Sequence, residues 1–315
     1  MISNAWYSIL EYNLNFGLQD RLYDVVTYIH KKYNKDPQIK EKDLLDFLDR
    51  IEGKEDPQLE SMVKWFYRYV PYRLQSPFFK EKLVGMADHK KNNYIVNLAN
   101  NTSKALYKID KSQKEIYINT QWMEYIHRNQ KIVYGWLESK LIYFLQRKNP
   151  NVPAIPFKLK PAQKRNLTKA KKFWKDINNC IEIKDIYTEL NFTSENTQKL
   201  GVLSIDHFIP WSFVLHDELW NLTPTFQKVN SSKNNSLPNI DKYIDNFCNL
   251  QYLAFVTAQK KNMHQKLVQD YFTVDKRLII DDRMIPKKQF VRSLKDTILP
   301  LYQIAFNQGY SLWVH

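Results

Sequence analysis

Asp206 and His207 stand side by side at the end of a short apolar run, Leu203-Ser204-Ile205, with Pro210 three residues on. A carboxylate is a hard oxygen ligand for a divalent cation. An imidazole, with an ordinary pKa of about 6.5, can take a proton from water at neutral pH. Further along, Asn230 offers a neutral amide oxygen that could share the ion with Asp206, and Lys233 follows in the pattern Asn-x-x-Lys. A base, a clamp for one metal ion and a nearby lysine are the parts of a one-metal phosphodiester hydrolase.

These groups need elements to hold them. Apolar residues at helical spacing predict helices through most of the chain: Leu18, Leu22, Val25, Val26 and Ile29, then Leu44, Leu45 and Leu48. Asp56-Pro57 reads as a helix start, with a stripe from Leu59 to Val70 that Pro71 should stop. Lys114 to Asn119 alternates like a short strand, and Trp122 to Arg147 reads as one long helix. Residues 149–161 hold four prolines and predict a linker or a rigid surface arm. After Gly201 the pattern changes to short apolar stretches and polar loops, then returns to helix from Ile240 and again from about Pro286 to Phe306. The fold class expected is α+β: a mostly helical protein with a small mixed unit around Asp206 and His207. The expected division is 1–195, mainly helical; 196–245, the chemical unit; and 246–315, helices packing on it.

Composition limits the alternatives. The chain has 315 residues, 43% hydrophobic and 25% charged, values of an ordinary globular protein. Its six glycines are never close together, so neither a GxGxxG fingerprint nor a phosphate loop can be written. The two cysteines, Cys180 and Cys248, form no CxxC; both lie among apolar neighbours and are read as core, in keeping with a reducing cytosol. No apolar run approaches the ~20 residues of a membrane span, so the expectation is a cytoplasmic protein with no membrane partner. The net charge of +14 raises nucleic acid as the polyanionic partner.

Taken together, Asp206-His207, Asn221-Leu222 and Asn230-x-x-Lys233 resemble the HNH endonucleases of the ββα-metal fold. Fourteen residues separate His207 from Asn221 and nine separate Asn221 from Asn230. This spacing is similar to the HNH domain of the RNA-guided CRISPR nucleases, down to Pro210, Ser212-Phe213 and Leu237-Pro238. The resemblance covers residues 203–238. It implies a His207 general base, Asp206 and Asn230 as metal ligands, and an Asn221 that belongs to the catalytic set by bracing the loop that orients His207. It implies for Lys233 a contact to a phosphate or a nearby carboxylate.

The chain departs from the family at two points. Phe226 and Val229 stand where many members carry zinc-binding cysteines, so no structural zinc is expected. Lys228 stands where the CRISPR nucleases carry an acid two residues before the third motif Asn. An all-oxygen ligand set favours one Mg²⁺ or Mn²⁺ per active site.

The resemblance implies an endonuclease acting on DNA, duplex above all, with restriction or anti-phage defence as the suggested setting. RNA-cleaving or toxin-type nucleases and a retired nucleic-acid-binding module are the alternatives. A protein or guide partner and a homodimer are left open, since one ββα unit nicks a single strand. The basic run Lys158, Lys160, Lys164, Arg165, Lys169, Lys171, Lys172 and Lys175, interleaved with Phe157, Phe173 and Trp174, reads as either a solvated helix face or a phosphate-backbone contact. Asp217 could touch the site from the loop between the motif halves. His216 is expected to be exposed in that loop, and His30, His89, His127, His264 and His315 to be structural or surface residues.

Overall fold

The computed structural model describes residues 1–17, 21–51, 56–160, 165–278 and 285–314. Leu18, Lys164 and His315 lie outside the described residues. The chain forms two compact units, Met1–Pro150 and Asn151–His315. This differs from the division expected at 195. Residues 151–195 belong to the second unit because the apolar stripe of its first helix is part of that unit's core.

In the first unit, helices α1 (Ile2–Tyr12), α2 (Leu22–Tyr33), α3 (Glu41–Ile51), α4 (Pro57–Arg73), α5 (Lys80–Leu83) and α6 (Asp88–Asn100) precede a hairpin of β1 (Tyr107–Asp110) and β2 (Glu115–Ile118). The strands pair antiparallel with Tyr107 opposite Ile118, so the strand read at 114–119 is present. Asp56 starts α4 as expected: its carboxylate accepts from Leu59 N at 3.1 Å, with Pro57 in the first turn. The same carboxylate pairs with Lys32 and accepts from Tyr28 and Tyr33, and these partners, Lys32 first, hold it well below the usual carboxylate range.

Two helix boundaries differ from expectation. Pro71 does not end α4, which runs on to Arg73, because a proline near a C-terminus forfeits only one backbone bond. The stretch from Trp122 to Arg147 is two helices, α7 (Thr120–Arg128) and α8 (Gln130–Lys148). At the break, the Asn129 side chain donates to Tyr125 O at 2.9 Å and competes with the helical ladder.

The second unit holds the Asp-His segment. The proline-rich stretch, expected to be a linker or a rigid surface arm, is partly built into the unit: Val152, Ile155 and Lys158 are buried, while Pro156, Phe157 and Lys160 are exposed. Then come α9 (Thr168–Cys180), α10 (Ser194–Leu200), β3 (Leu203–His207), the single turn α11 (Trp211–Val214), β4 (Leu222–Phe226), α12 (Gln227–Lys233), α13 (Ile240–Lys260), α14 (Gln265–Val268) and α15 (Lys287–Asn307). β3 and β4 pair antiparallel, Leu203 opposite Phe226 and His207 opposite Leu222. α12 starts at the residue after β4, which completes a β-hairpin and helix in sequence order.

Local chemistry explains why these elements form. On α9, Ala170, Phe173, Trp174 and Ile177 recur at helical spacing and are buried, while Lys169, Lys172 and Lys175 are exposed. Phe173 and Trp174 are therefore core residues, not rings interleaved with lysines on a surface. Gly201 has φ +89°, and a Cβ there would lie 2.9 Å from Gln227 Cβ, so only glycine lets the chain enter β3 this close to the start of α12. Asn239 caps α13 by accepting from Lys242 N. The buried face of α13 includes Tyr243, Phe247, Cys248 and Gln251; the Phe247 ring stacks on Phe208, and Gln251 donates to Leu222 O at 2.8 Å. Near the C-terminus, Leu237 N donates to Ser311 O and Trp313 N to Leu237 O. Cys248 is core, but Cys180 is exposed at the last residue of α9, where the apolar stripe has ended.

Candidate active site

β3 delivers Asp206 and His207 to its C-terminal end, 3% and 5% exposed. A cavity of about 510 Å³ opens there. Its lining includes Ser204, Asp206, His207 and Asn230 together with Arg165, Lys171 and Trp211. The two motif halves, 24 residues apart in sequence from Asp206 to Asn230, meet because β4 returns along β3 and α12 then crosses back over the hairpin.

Asp206 is heavily supported. Its Oδ2 accepts from the Tyr187 hydroxyl at 2.6 Å, and Lys233 Nζ reaches Oδ1 at 3.1 Å and Oδ2 at 3.0 Å. Lys233 also donates to His207 O at 2.8 Å. Lys233 is wholly buried, so it makes the carboxylate contact and not the phosphate contact among the two expected of it. Burial pushes the Lys233 ammonium below its ordinary value, and Asp206 opposes that push. Burial, then the charge of Asp206, holds the Tyr187 phenol well above its own, so it stays a donor to the carboxylate.

The His207 ring makes its hydrogen bond through Nε2, 2.8 Å from Asp217 Oδ1. Asp217, half-buried in the loop, thus does reach the site residues. Its burial raises the carboxyl's pKa, but His207 and the nearby Arg165 outweigh burial and leave it below the ordinary value. Asn221 is fully buried and does not line the cavity. Its Oδ1 accepts from Ile209 N and its Nδ2 donates to Ile209 O, both at 2.9 Å, which ties the turn after His207 to the start of β4. It is a brace rather than a reacting group. Asn230 lines the cavity and donates through Nδ2 to Ser204 Oγ at 2.8 Å and Ile205 O at 3.1 Å, so its Oδ1 is the amide's acceptor atom.

The donor set suits a hard cation. A carboxylate offers about four lone-pair sites. Lys233 and Tyr187 occupy three on Asp206, leaving one on Oδ1, and Asn230, which lines the same cavity, has an amide oxygen to add. Among the described residues no cluster of three or more His, Cys, Asp and Glu side chains could hold a metal ion. Two protein oxygens, with water and substrate oxygens completing the shell, are what Mg²⁺ commonly accepts.

The basic run separates into parts. Arg165 and Lys171 line the cavity, Arg165 with its guanidinium 4.7 Å from the Trp211 ring centroid. Lys160, Lys169 and Lys172 are exposed and are not among the lining residues. Lys158 is buried, donates to Phe213 O at 2.6 Å, and has its pKa lowered to about 7 by burial. His216 is half-buried against Trp220, with ring centroids 5.1 Å apart, and not the exposed residue expected. His264 pairs with Asp176 at 2.8 Å.

Sequence reasoning missed Tyr187, which lies 19 residues before Asp206 in a segment with no motif of its own. It also missed Trp211 as a wall of the cavity; its position next to Pro210 was the only signal.

A hairpin whose first strand ends in Asp-His, followed at once by a helix carrying an Asn, defines a ββα-metal unit. Residues 185–239 match the model of the HNH endonuclease family, so this part of the chain is similar to an HNH endonuclease unit. HNH nucleases generally use a divalent metal. Comparison with the curated proteins and with the solved structures gave no match. Among the described residues no helix is long and apolar enough to cross a membrane.

Proposed function

We propose that the protein is a metal-dependent endonuclease that hydrolyses phosphodiester bonds of DNA. The observation that carries this reading is the cavity itself. His207, Asp206 and Asn230 share it with Arg165 and Lys171, so a candidate base and candidate oxygen ligands line one cavity with two cationic side chains. A phosphodiester backbone is the polyanion such a wall would hold.

In this reading His207 takes a proton from the attacking water as the new P–O bond forms, and the bond to the leaving sugar oxygen breaks. That oxygen is protonated from solvent, and His207 returns its proton to bulk water. Asp206 and Asn230 would hold one Mg²⁺ or Mn²⁺. The ion, when bound, would supply charge stabilisation to the phosphoryl oxygens. Lys233 and Tyr187 hold the Asp206 carboxylate in one orientation. Arg165 and Lys171 hold flanking phosphates, and the exposed Lys160, Lys169 and Lys172 extend the positive field beyond the cavity. Family analogy extends the reading to restriction or anti-phage defence.

The test is purified protein incubated with Mg²⁺, Mn²⁺ or chelator on supercoiled plasmid, linear duplex, single-stranded DNA and RNA. Metal-dependent internal cleavage of DNA is expected. Cleavage of RNA alone would replace DNA as substrate, and cleavage unaffected by chelator would remove the metal from the mechanism.

A further inference from the structure

Asp217 is the one side chain hydrogen-bonded to the His207 ring among the described residues, and nothing in the motif requires it. An ionised carboxylate only accepts hydrogen bonds. The ring nitrogen facing it must therefore carry the hydrogen, so the Nε2–H tautomer is selected. The lone pair of the neutral ring then sits on Nδ1.

The loop carrying Asp217 is itself held from outside the family segment. Leu219 N donates to Asp270 Oδ2 at 2.8 Å. Glu218 Oε2 accepts from Trp220 Nε1 at 2.6 Å and from the Thr273 hydroxyl. His216 packs on Trp220. Asp270 and Thr273 belong to the turn Gln269–Thr273, beyond the matched residues 185–239. A loop pinned at 218, 219 and 220 keeps the carboxylate at 217 in one place.

We infer that Asp217 is the positioning residue of His207, fixing the tautomer that presents Nδ1 as the base, and that the C-terminal turn bearing Asp270 and Thr273 exists in part to hold its loop. This rests on the nuclease reading for its catalytic consequence, but the tautomer itself can be read without any cleavage. It also gives the region after the HNH unit a role in the chemistry beyond filling a core.

The experiment has two readouts. The first is ¹⁵N-detected NMR of the full-length protein at about pH 8.5, where an ordinary imidazole is neutral. Its His207 signals are assigned by their loss in His207→Gln. The wild-type ring should be the Nε2–H tautomer with Nδ1 unprotonated, and Asp217→Ala should give a mixture of tautomers. The second is steady-state kinetics on the cleaved substrate. Asp217→Ala should lower kcat by about 10- to 100-fold, no more than the roughly 10²–10⁴-fold a general base itself contributes, with KM within about 2-fold. Asp270→Ala should shift both readouts the same way by less. The double variant should be no worse than Asp217→Ala alone, because the two act in series. A wild-type tautomer pattern in Asp217→Ala, a kcat within about 2-fold of wild type, or an Nδ1–H ring in the wild type overturns the inference. Wild-type protein that cuts no nucleic acid would sink the nuclease reading, while the NMR result would still decide the role of Asp217.

Discussion

Lys233→Met removes the positive partner of a carboxylate that has no other cation bonded to it among the described residues. Lys233 is wholly buried and Asp206 is 3% exposed, so solvent cannot take over the charge. Breaking a buried pair by deleting one partner costs about 3–5 kcal/mol, because the remaining charge is left uncompensated. The substitution also strips the donor from His207 O. In a unit the size of Asn151–His315, each kcal/mol moves Tm by roughly 2–4 °C, so the expected drop is on the order of 10 °C. A cation held by Asp206 would restore the missing charge. Mg²⁺ should therefore raise the Tm of the variant by more than it raises that of the wild type. The assay is thermal unfolding followed by circular dichroism, in chelator and in Mg²⁺. A variant that melts within about 2 °C of wild type in chelator, but binds DNA more weakly with a shallower salt dependence, would refute the reasoning. Lys233 would then contact a phosphate and not Asp206.

Three further outcomes follow from the same geometry. Asn221→Ala orphans Ile209 N and Ile209 O, at about 1–3 kcal/mol per buried group, and should lower both Tm and kcat; unchanged kcat would show that the brace does not serve His207. Lys158 has a folded pKa of about 7, below its unfolded value, so the folded state binds fewer protons between about pH 7 and pH 10. Stability should therefore rise with pH through that window, by at most about 1.4 kcal/mol per pH unit from this group. Lys158→Met should flatten the rise, as melts at pH 7, 8 and 9 would show. Changing Arg165 and Lys171 together to Gln should weaken binding to all duplexes alike and reduce the log–log salt slope by about 2 if each meets one phosphate; an unchanged slope would remove both from the nucleic-acid surface.

The grouping of the candidate site was legible because its residues lie next to one another or at short fixed spacings. Asp206-His207, Asn221 and Asn230 come together through one hairpin and one helix, which are local structures. The supports were less legible because they arrive through tertiary packing. Tyr187 and Asp270 reach the site from segments with no signature of their own, and Lys158 reads as one more surface lysine until the fold buries it. Lys233 shows the same effect, since the sequence offers two acceptors for its ammonium and only burial selects the carboxylate. Helix limits failed where side chains overruled periodicity, as at Asn129, or where a proline near a helix end cost less than expected, as at Pro71. α9 carries both the lysines of a surface and the Phe173-Trp174 stripe of a core, so its membership of the second unit is visible only in the packing.

The central claim is that His207 is the base of a nuclease, and single-turnover cleavage of a labelled duplex in saturating Mg²⁺ tests it most directly. His207→Ala should cut at least about 100-fold more slowly than the wild type while binding the duplex with the same affinity in chelator. A His207→Ala protein that cleaves at the wild-type rate would contradict the account.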